Sequence, residues 1–214
     1  MSRDTLVIAI DGPAASGKGT LARLLAKHYG LRHLDTGLTY RAAAAAWEDW
    51  RGGGDPERVA AKLAENVDFD DLDAIALSHH SLSEAASKIA VIPEVRRVLV
   101  EKQRKFAHRP PGAVLDGRDI GTVVLPEAPA KLYVTATPEA RAHRRALELR
   151  ERGTDIDEAE VLSDIRKRDA RDSGRADSPL RPAPDAYLLD TTDKDIEAAF
   201  RAAVDYVSRA IASR

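Results

Sequence analysis

Short apolar runs separated by stretches of helical period set the pattern of this chain. Five runs read as strands: Leu6 to Ile10, Arg32 to Leu34, Ala113 to Leu115, Lys131 to Thr135 and Tyr187 to Leu189. Between them, apolar residues recur every three or four positions, the period of a helix with one buried face. Strand and helix in alternation predict an α/β fold, a parallel sheet with helices on its faces. Several helix starts are marked. Asp55-Pro56-Glu57 supplies an N-cap, a proline at the first helical position and an acidic first turn, and Thr137-Pro138-Glu139 repeats the arrangement. Pro93-Glu94 opens a helix expected to reach about Ala107, where His108-Arg109-Pro110-Pro111-Gly112 stops it. The alanine run Ala42 to Ala46 reads as helix propensity, and Trp47 and Trp50 read as helix-packing side chains.

Two stretches break this rhythm. Residues 52–92 hold a triple-glycine turn, weak helices and few strand candidates, and read as an insert or satellite. Residues 150–178 are dense in charge, from Arg150-Glu151-Arg152 to the run Arg166 to Arg175, and read as a solvated, mobile segment.

Composition narrows the function classes. A chain of 214 residues, 43% hydrophobic and 32% charged, supports one packed domain. A formal net charge of −2 gives no bulk attraction to nucleic acid or to an anionic membrane. The absence of cysteine excludes disulfides, thiolate metal sites and cysteine nucleophiles. The longest apolar run, Ala42 to Trp47, is far short of the ~20 residues of a spanning helix. The first, Leu6 to Ile10, is too short for a signal segment, so a cytoplasmic, soluble enzyme is expected. The six histidines show no metal-ligand spacing, and His79-His80 reads as a solvated loop rather than a surface metal binder. Asn66 and Gln103 are the only side-chain amides, so any recognition of a base falls on other side chains.

The strongest motif is Gly12-Pro13-Ala14-Ala15-Ser16-Gly17-Lys18-Gly19-Thr20, set between the first strand and a helix. Spacing and context match the G-x-x-x-x-G-K phosphate-binding loop. Its glycines let successive N–H groups converge on an anion, the helix N-terminus adds positive potential, and Lys18 reaches the outer phosphates. A nucleoside triphosphate is the implied ligand. Gly19 follows Lys18 where a hydroxyl is usual, leaving Thr20 one place later; this Lys-Gly-Thr resembles the form found in nucleoside monophosphate kinases. An Asn-Lys-x-Asp guanine reader is excluded, since Asn66 precedes Val67, and Gln103 inside a helix is poorly placed to orient water. A small-molecule kinase remains.

The acceptor has three candidate segments. Asp35-Thr36-Gly37-Leu38-Thr39-Tyr40-Arg41 follows the second strand, where ligands gather at the carboxyl edge of a parallel sheet. Thr36 and Arg41 either hold an acceptor phosphate or form an N-cap beside an exposed arginine. Asp116-Gly117-Arg118-Asp119 follows the third strand; Arg118 suits bidentate phosphate recognition, with an ion-paired turn as the other reading. In Arg166 to Arg175, Arg168 and Asp172 share a helix face, as do Arg171 and Arg175. Taken alone that run reads as a salt-bridged surface; on a mobile lid its arginines would neutralise a transferring phosphoryl group.

Together these segments resemble the bacterial cytidylate kinases. The family's pattern is similar to Asp11 through Thr20, Asp35-Thr36-Gly37 with Tyr40-Arg41, Ala85-Ala86-Ser87 with Pro93-Glu94-Val95-Arg96, Asp116 to Val124, and Arg168-Asp169, Arg171-Asp172 and Arg175 before Pro179-Leu180. The resemblance implies that Thr36, Arg41 and Arg118 contact the acceptor's ribose-phosphate region, that Ser87, Arg96, Asp119 and Arg175 surround cytosine, and that Asp172 and Arg168 lie near the ribose and phosphates. Lys18, Arg118, Arg168 and Arg171 would act in catalysis, and residues 12–20 would hold ATP with its Mg²⁺. No direct protein ligand to the metal is implied. Two departures stand out: residues 69–84 are short where the family carries a Gly-Glu-Asp-Val stretch, and Thr36 replaces a common serine.

The implied fold is a five-stranded parallel sheet in a single phosphate-loop kinase domain. Its core would be 1–40, 98–149 and 179–214, with an acceptor-binding insert near 41–97 and a lid near 150–178. The implied reaction is transfer from ATP to CMP or dCMP, in pyrimidine nucleotide metabolism, by a cytoplasmic monomer without nucleic-acid or membrane partners. The alternatives are a kinase for UMP, AMP or shikimate, and a non-catalytic nucleotide-binding module.

Overall fold

A computed structural model of the chain describes residues 5–78, 80–151 and 153–212. Five strands, β1 (Leu6–Asp11), β2 (Arg32–Asp35), β3 (Gly112–Gly117), β4 (Ala130–Thr135) and β5 (Tyr187–Asp190), pair in the order β2-β3-β1-β4-β5, all parallel. Each expected strand is present and slightly longer than its apolar run. The added residues include Asp11, Asp35, Asp116 and Asp190 at the carboxyl ends, which hydrophobic pattern excludes because they are charged; Asp35 and Asp116 line a cavity there.

The described residues include eight α-helices: α1 (Lys18–Tyr29), α2 (Thr36–Glu48), α3 (Pro56–Asn66), α4 (His80–Ile89), α5 (Pro93–Ala107), α6 (Pro138–Glu151), α7 (Glu158–Ser173) and α8 (Ile196–Ala212). The marked starts hold. The Asp55 side chain accepts from the Arg58 N–H at 3.0 Å, and Thr137 Oγ1 accepts from the Ala140 N–H at 3.3 Å. β1 shows why the sheet is covered on both sides. Val7 and Ala9 point into one cluster with Leu34, Leu115 and helices α2 to α5, while Ile8 and Ile10 point into another with Leu132 and helices α1 and α8.

The two irregular stretches are more ordered than their sequence suggests. In 52–92, Ala60, Ala61 and Ala64 of α3 and Ala85, Ala86 and Ile89 of α4 are buried in the same cluster as Val7 and Leu115. Alanines carry little hydrophobic signal yet allow helices close approach, so their burial is invisible to periodicity. The limits 41 and 97 fall inside α2 and α5. The charged stretch contains α7, capped by Asp157, whose side chain accepts from the Ala159 N–H at 3.0 Å. Val161 and Ile165, four apart, pack on Ala142 and Ala146 of α6 and form a third small cluster. The expectation of a solvated segment therefore holds for one face of α7 only.

Trp47 packs partly against the main cluster, but Trp50 lies beyond α2 with 46% of its surface exposed, contrary to its reading as a packing residue. Gln103 is buried in α5 and donates to Thr39 Oγ1 at 3.2 Å. His79 and the side chain of His80 lie outside the described residues, as do Met1 to Asp4 and Arg152. No helix among the described residues is long and apolar enough to cross a membrane.

Candidate active site

The carboxyl ends of β1, β2 and β3 open into one cavity of about 830 Å³. On its donor side the chain leaves β1 through Gly12, at φ 153°, whose missing Cβ lets the loop pass against the Val134 carbonyl. Gly12 and Pro13 are buried beneath the loop, while Ala14, Ala15, Ser16, Gly17, Lys18, Gly19 and Thr20 line the cavity. Ala15 holds φ at 58°, rare for a residue with a side chain, and Gly17 sits at 85° as the N-cap of α1. No side chain caps α1 and no acidic residue stands in its first turn, so its leading N–H groups face the cavity as an anion site.

Lys18 Nζ donates to the Pro13 carbonyl at 3.2 Å. Burial, reinforced by Arg118, pushes its pKa down to about 7 against the opposing pull of Asp116 and Asp35. The second strand's end lies across from it. Arg41 Nη2 meets Asp35 Oδ2 at 3.2 Å, and Thr36 Oγ1 donates to the Asp116 carbonyl at 2.8 Å while keeping its acceptor capacity. Arg41 is half-buried, not the exposed arginine of the alternative reading. Burial raises the Asp35 pKa, but Arg41 and Lys18 outweigh it and hold the carboxyl below its ordinary value.

The segment after β3 makes the densest charge network. Arg96 Nη1 and Asp119 Oδ2 pair at 2.6 Å, both buried, with the Tyr40 ring 5.7 Å from the guanidinium. Arg118 Nε meets Asp172 Oδ2 at 2.8 Å, and Arg175 Nη2 meets Asp172 Oδ1 at 2.5 Å. Burial disfavours the Asp172 charge, yet Arg118 and Arg175 hold its pKa below the usual range. Ser87, on α4, faces the same cavity. Arg168 joins from α7; burial and then Arg118 lower its pKa to about 10.

Among the described residues, the buried polar atoms without a hydrogen-bond partner include Ser16 Oγ, Arg41 Nε and Arg168 Nε, on residues that line the cavity, and Arg32 Nε and Thr122 Oγ1, on residues that do not. Leaving such donors unmet is costly, and an anion in the cavity that drew the Arg41 and Arg168 side chains toward it would offset that cost. Nearly all the expected site residues therefore share this cavity. Arg171 is the exception among the arginines. It is exposed and lines a smaller cavity of about 390 Å³ with Ser87 and Arg175. The expected face shared by Arg171 and Arg175 does not form, because α7 ends at Ser173 and Arg175 turns inward to Asp172 beyond it.

Several contributors carry no sequence signal. His33 Nε2 lies 2.8 Å from Asp116 Oδ1. The Arg144 guanidinium binds Thr191, whose Oγ1 donates to the Ser16 carbonyl at 3.1 Å. Arg141, 3% exposed, donates from Nε to the Ala136 carbonyl at 2.9 Å and from Nη1 to the Ala14 carbonyl at 3.2 Å, and pairs in two-pronged fashion with Asp169 at 3.1 and 2.6 Å. It thus ties the phosphate loop to the helix carrying Arg168 and Asp172. A buried arginine on a helix as polar as α6 looks, in sequence, like any surface arginine. No group of three or more His, Cys, Asp or Glu among the described residues could hold a metal ion by itself.

A phosphate loop at the centre of a parallel sheet, facing a second anion-binding group across one cavity, defines a phosphate-loop kinase of the nucleoside monophosphate type. Residues 8–209 match the family model described as cytidylate kinase. The chain belongs to the cytidylate kinase family. The cytidylate kinase of Rhizobium meliloti is 61% identical over 97% of this chain and 98% of its own length. That of Brucella suis is 58% identical over 96% and 94%. Among solved structures, a Thermus thermophilus protein shares the fold at 23% identity and TM-score 0.51, covering 97% of this chain and 98% of that one. An uncharacterized protein from Eubacterium ventriosum does so at 15% identity and TM-score 0.57, covering 95% and 98%.

Proposed function

We propose that the protein transfers the terminal phosphoryl group of ATP to CMP or dCMP, giving ADP and CDP or dCDP, within pyrimidine nucleotide metabolism of the cytoplasm. The observation that carries this reading is one cavity that brings the phosphate loop together with Arg41, Arg118, Arg168 and the Arg96–Asp119 pair. On this reading residues 12–20 hold ATP. Thr36, Arg41 and Arg118 hold the acceptor phosphate. Ser87, Arg96, Asp119 and Arg175 read the cytosine, whose N4 donor and O2 and N3 acceptors suit a carboxylate and arginines. Asp172 and Arg168 lie at the ribose and phosphates.

The acceptor phosphate is already anionic near neutral pH, so no strong base is required. Lys18, Arg118 and Arg168 neutralise charge spreading over the phosphoryl oxygens, and the enclosed cavity keeps the reacting groups in line. Arg171, exposed on α7, would join only on closure. Mg²⁺ arriving with ATP adds charge neutralisation; the Thr20 hydroxyl and the Asp116 carboxylate, which faces the start of α1, suit its water shell. The segment near 41–97 acts as the acceptor side and 150–178 as a lid whose closure excludes water and suppresses hydrolysis of ATP.

The test is ADP formation from Mg-ATP with CMP, dCMP, UMP, AMP, GMP or shikimate, against a no-acceptor control. Turnover led by CMP and dCMP is expected, with Lys18→Ala folded but inactive. Turnover led by another acceptor would refute the assigned cytosine readers.

A further inference from the structure

Asp11 ends β1, immediately before the phosphate loop, and is 3% exposed. Its two oxygens serve two successive backbone groups: Oδ1 accepts from the Ile120 N–H and Oδ2 from the Gly121 N–H, each at 2.7 Å. These open the single wide turn Ile120–Val124 that follows Asp119. The Ile120 N–H belongs to the peptide plane joining it to Asp119, and Asp119 stands at φ −142°, ψ 23°, outside the regular regions. That plane cannot rotate without breaking the short charge-assisted bond to Asp11 Oδ1, and the next plane, which carries the Gly121 N–H, is held by the bond to Oδ2. The first plane's orientation fixes the direction from which the Asp119 side chain leaves the backbone toward Arg96, and Arg118 is one residue further back.

We infer that Asp11 is a positioning residue for acceptor recognition, its carboxylate clamping the backbone that carries Arg118 and Asp119. The clamp spans the two halves of the site: Asp11 adjoins the donor loop in the chain and the acceptor segment in space. Burial makes the charge expensive and raises its pKa to about 7, the two N–H bonds opposing. Asp119 and Arg118 act on it from the loop after β3. Tyr133 lies opposite it in the β1–β4 register, and Lys131, paired with Asp185, flanks Gly121 from the same strand. Below about pH 7 the carboxyl protonates and its grip on one N–H weakens.

The inference rests on Arg118 and Asp119 contacting the acceptor, so Asp119→Ala is measured beside Asp11→Asn. Asp119→Ala should raise the CMP KM; no rise would remove that reading and the clamp together. Asp11→Asn turns an amide NH2 toward a backbone N–H. It should raise the CMP KM roughly tenfold or more, the loss of one charge-assisted hydrogen bond, with the ATP KM changed less than about twofold. Equal rises in both constants, or lowered stability with the CMP KM unchanged, would overturn the clamp. A wild-type measurement stands if the variant does not fold. The Ile120 and Gly121 amide resonances should titrate with an inflection near pH 7, and CMP affinity, corrected for titration of CMP itself, should follow it. Titrating amides with a flat corrected affinity would overturn the inference.

Discussion

Lys18 shows how the site sets a residue's chemistry before any ligand enters. Burial and Arg118 leave its pKa at about 7, so at pH 8 the unliganded amine is mostly neutral. On the proposed reading, the phosphates of ATP supply the negative charge that raises it again. Donor binding at pH 8 should therefore take up close to one proton, and at pH 6, where Lys18 is already charged, close to none. Calorimetric titration in two buffers of different ionisation enthalpy reads this directly; equal uptake at both pH values would sink the assignment. The lowered pKa also acts on folding. The unfolded chain binds the proton more tightly between about pH 7 and 10.5, so the penalty is complete below pH 7 and fades as pH rises. The site thus carries a stability cost at the position on which the proposed transfer relies.

Among the elements, the α6–α7 hairpin carries Arg168 and Arg171 on a modest apolar contact. Ala142, Ala146, Val161 and Ile165 form its cluster, and Arg141 ties it to the phosphate loop through Ala14 and Asp169. With Arg141 gone, Asp169 loses its partner and two backbone carbonyls lose a donor. Arg141→Met should lower stability by about 2–3 kcal/mol in denaturant unfolding. Asp169→Asn should cost less, because its amide oxygen still accepts from Arg141. The double variant should fall short of the sum by about 1 kcal/mol, the mark of a direct pair; full additivity would deny the tie.

At the scale of the whole molecule, one sheet joins two clusters, and Ser87 and Val91 share the smaller cavity with Arg171, Gly174, Arg175 and Ala176. Val91 and Ala176 stand on opposite walls of that cavity and are both exposed. The chain has no cysteine, so Val91→Cys and Ala176→Cys accept spin labels without competing sites. If the lid closes, the inter-label distance should shorten when CMP and a non-hydrolysable ATP analogue are added together, in a species whose sedimenting mass is that of one chain, 23.3 kDa. An unchanged distance would make α7 a fixed wall, and a larger mass would end the monomer reading.

The sequence by itself determined the five strands, the helices that open after the phosphate loop and at Pro56, Pro93 and Pro138, the phosphate loop itself, and the polar segments after β2 and β3. These are local signals: an apolar run, a capped helix start, or a glycine spacing is decided by neighbours a few residues apart. Its motifs also named Thr36, Arg41, Arg96, Arg118, Asp119, Arg168, Asp172 and Arg175, which the fold collects around one cavity. Only the tertiary structure decided which charges meet. Asp172 takes both Arg118 and Arg175, Arg171 lines the smaller cavity, and Asp11 at the end of β1 grips Ile120 and Gly121 in the turn after β3. It also decided that Arg141, on a helix with hardly any apolar pattern, is buried, and that the alanines of α3 and α4 belong to the main core. The physical reason is common to all of these. Burial and charge pairing depend on residues far apart in the chain, and a side chain's own identity carries no record of what lies across the sheet from it.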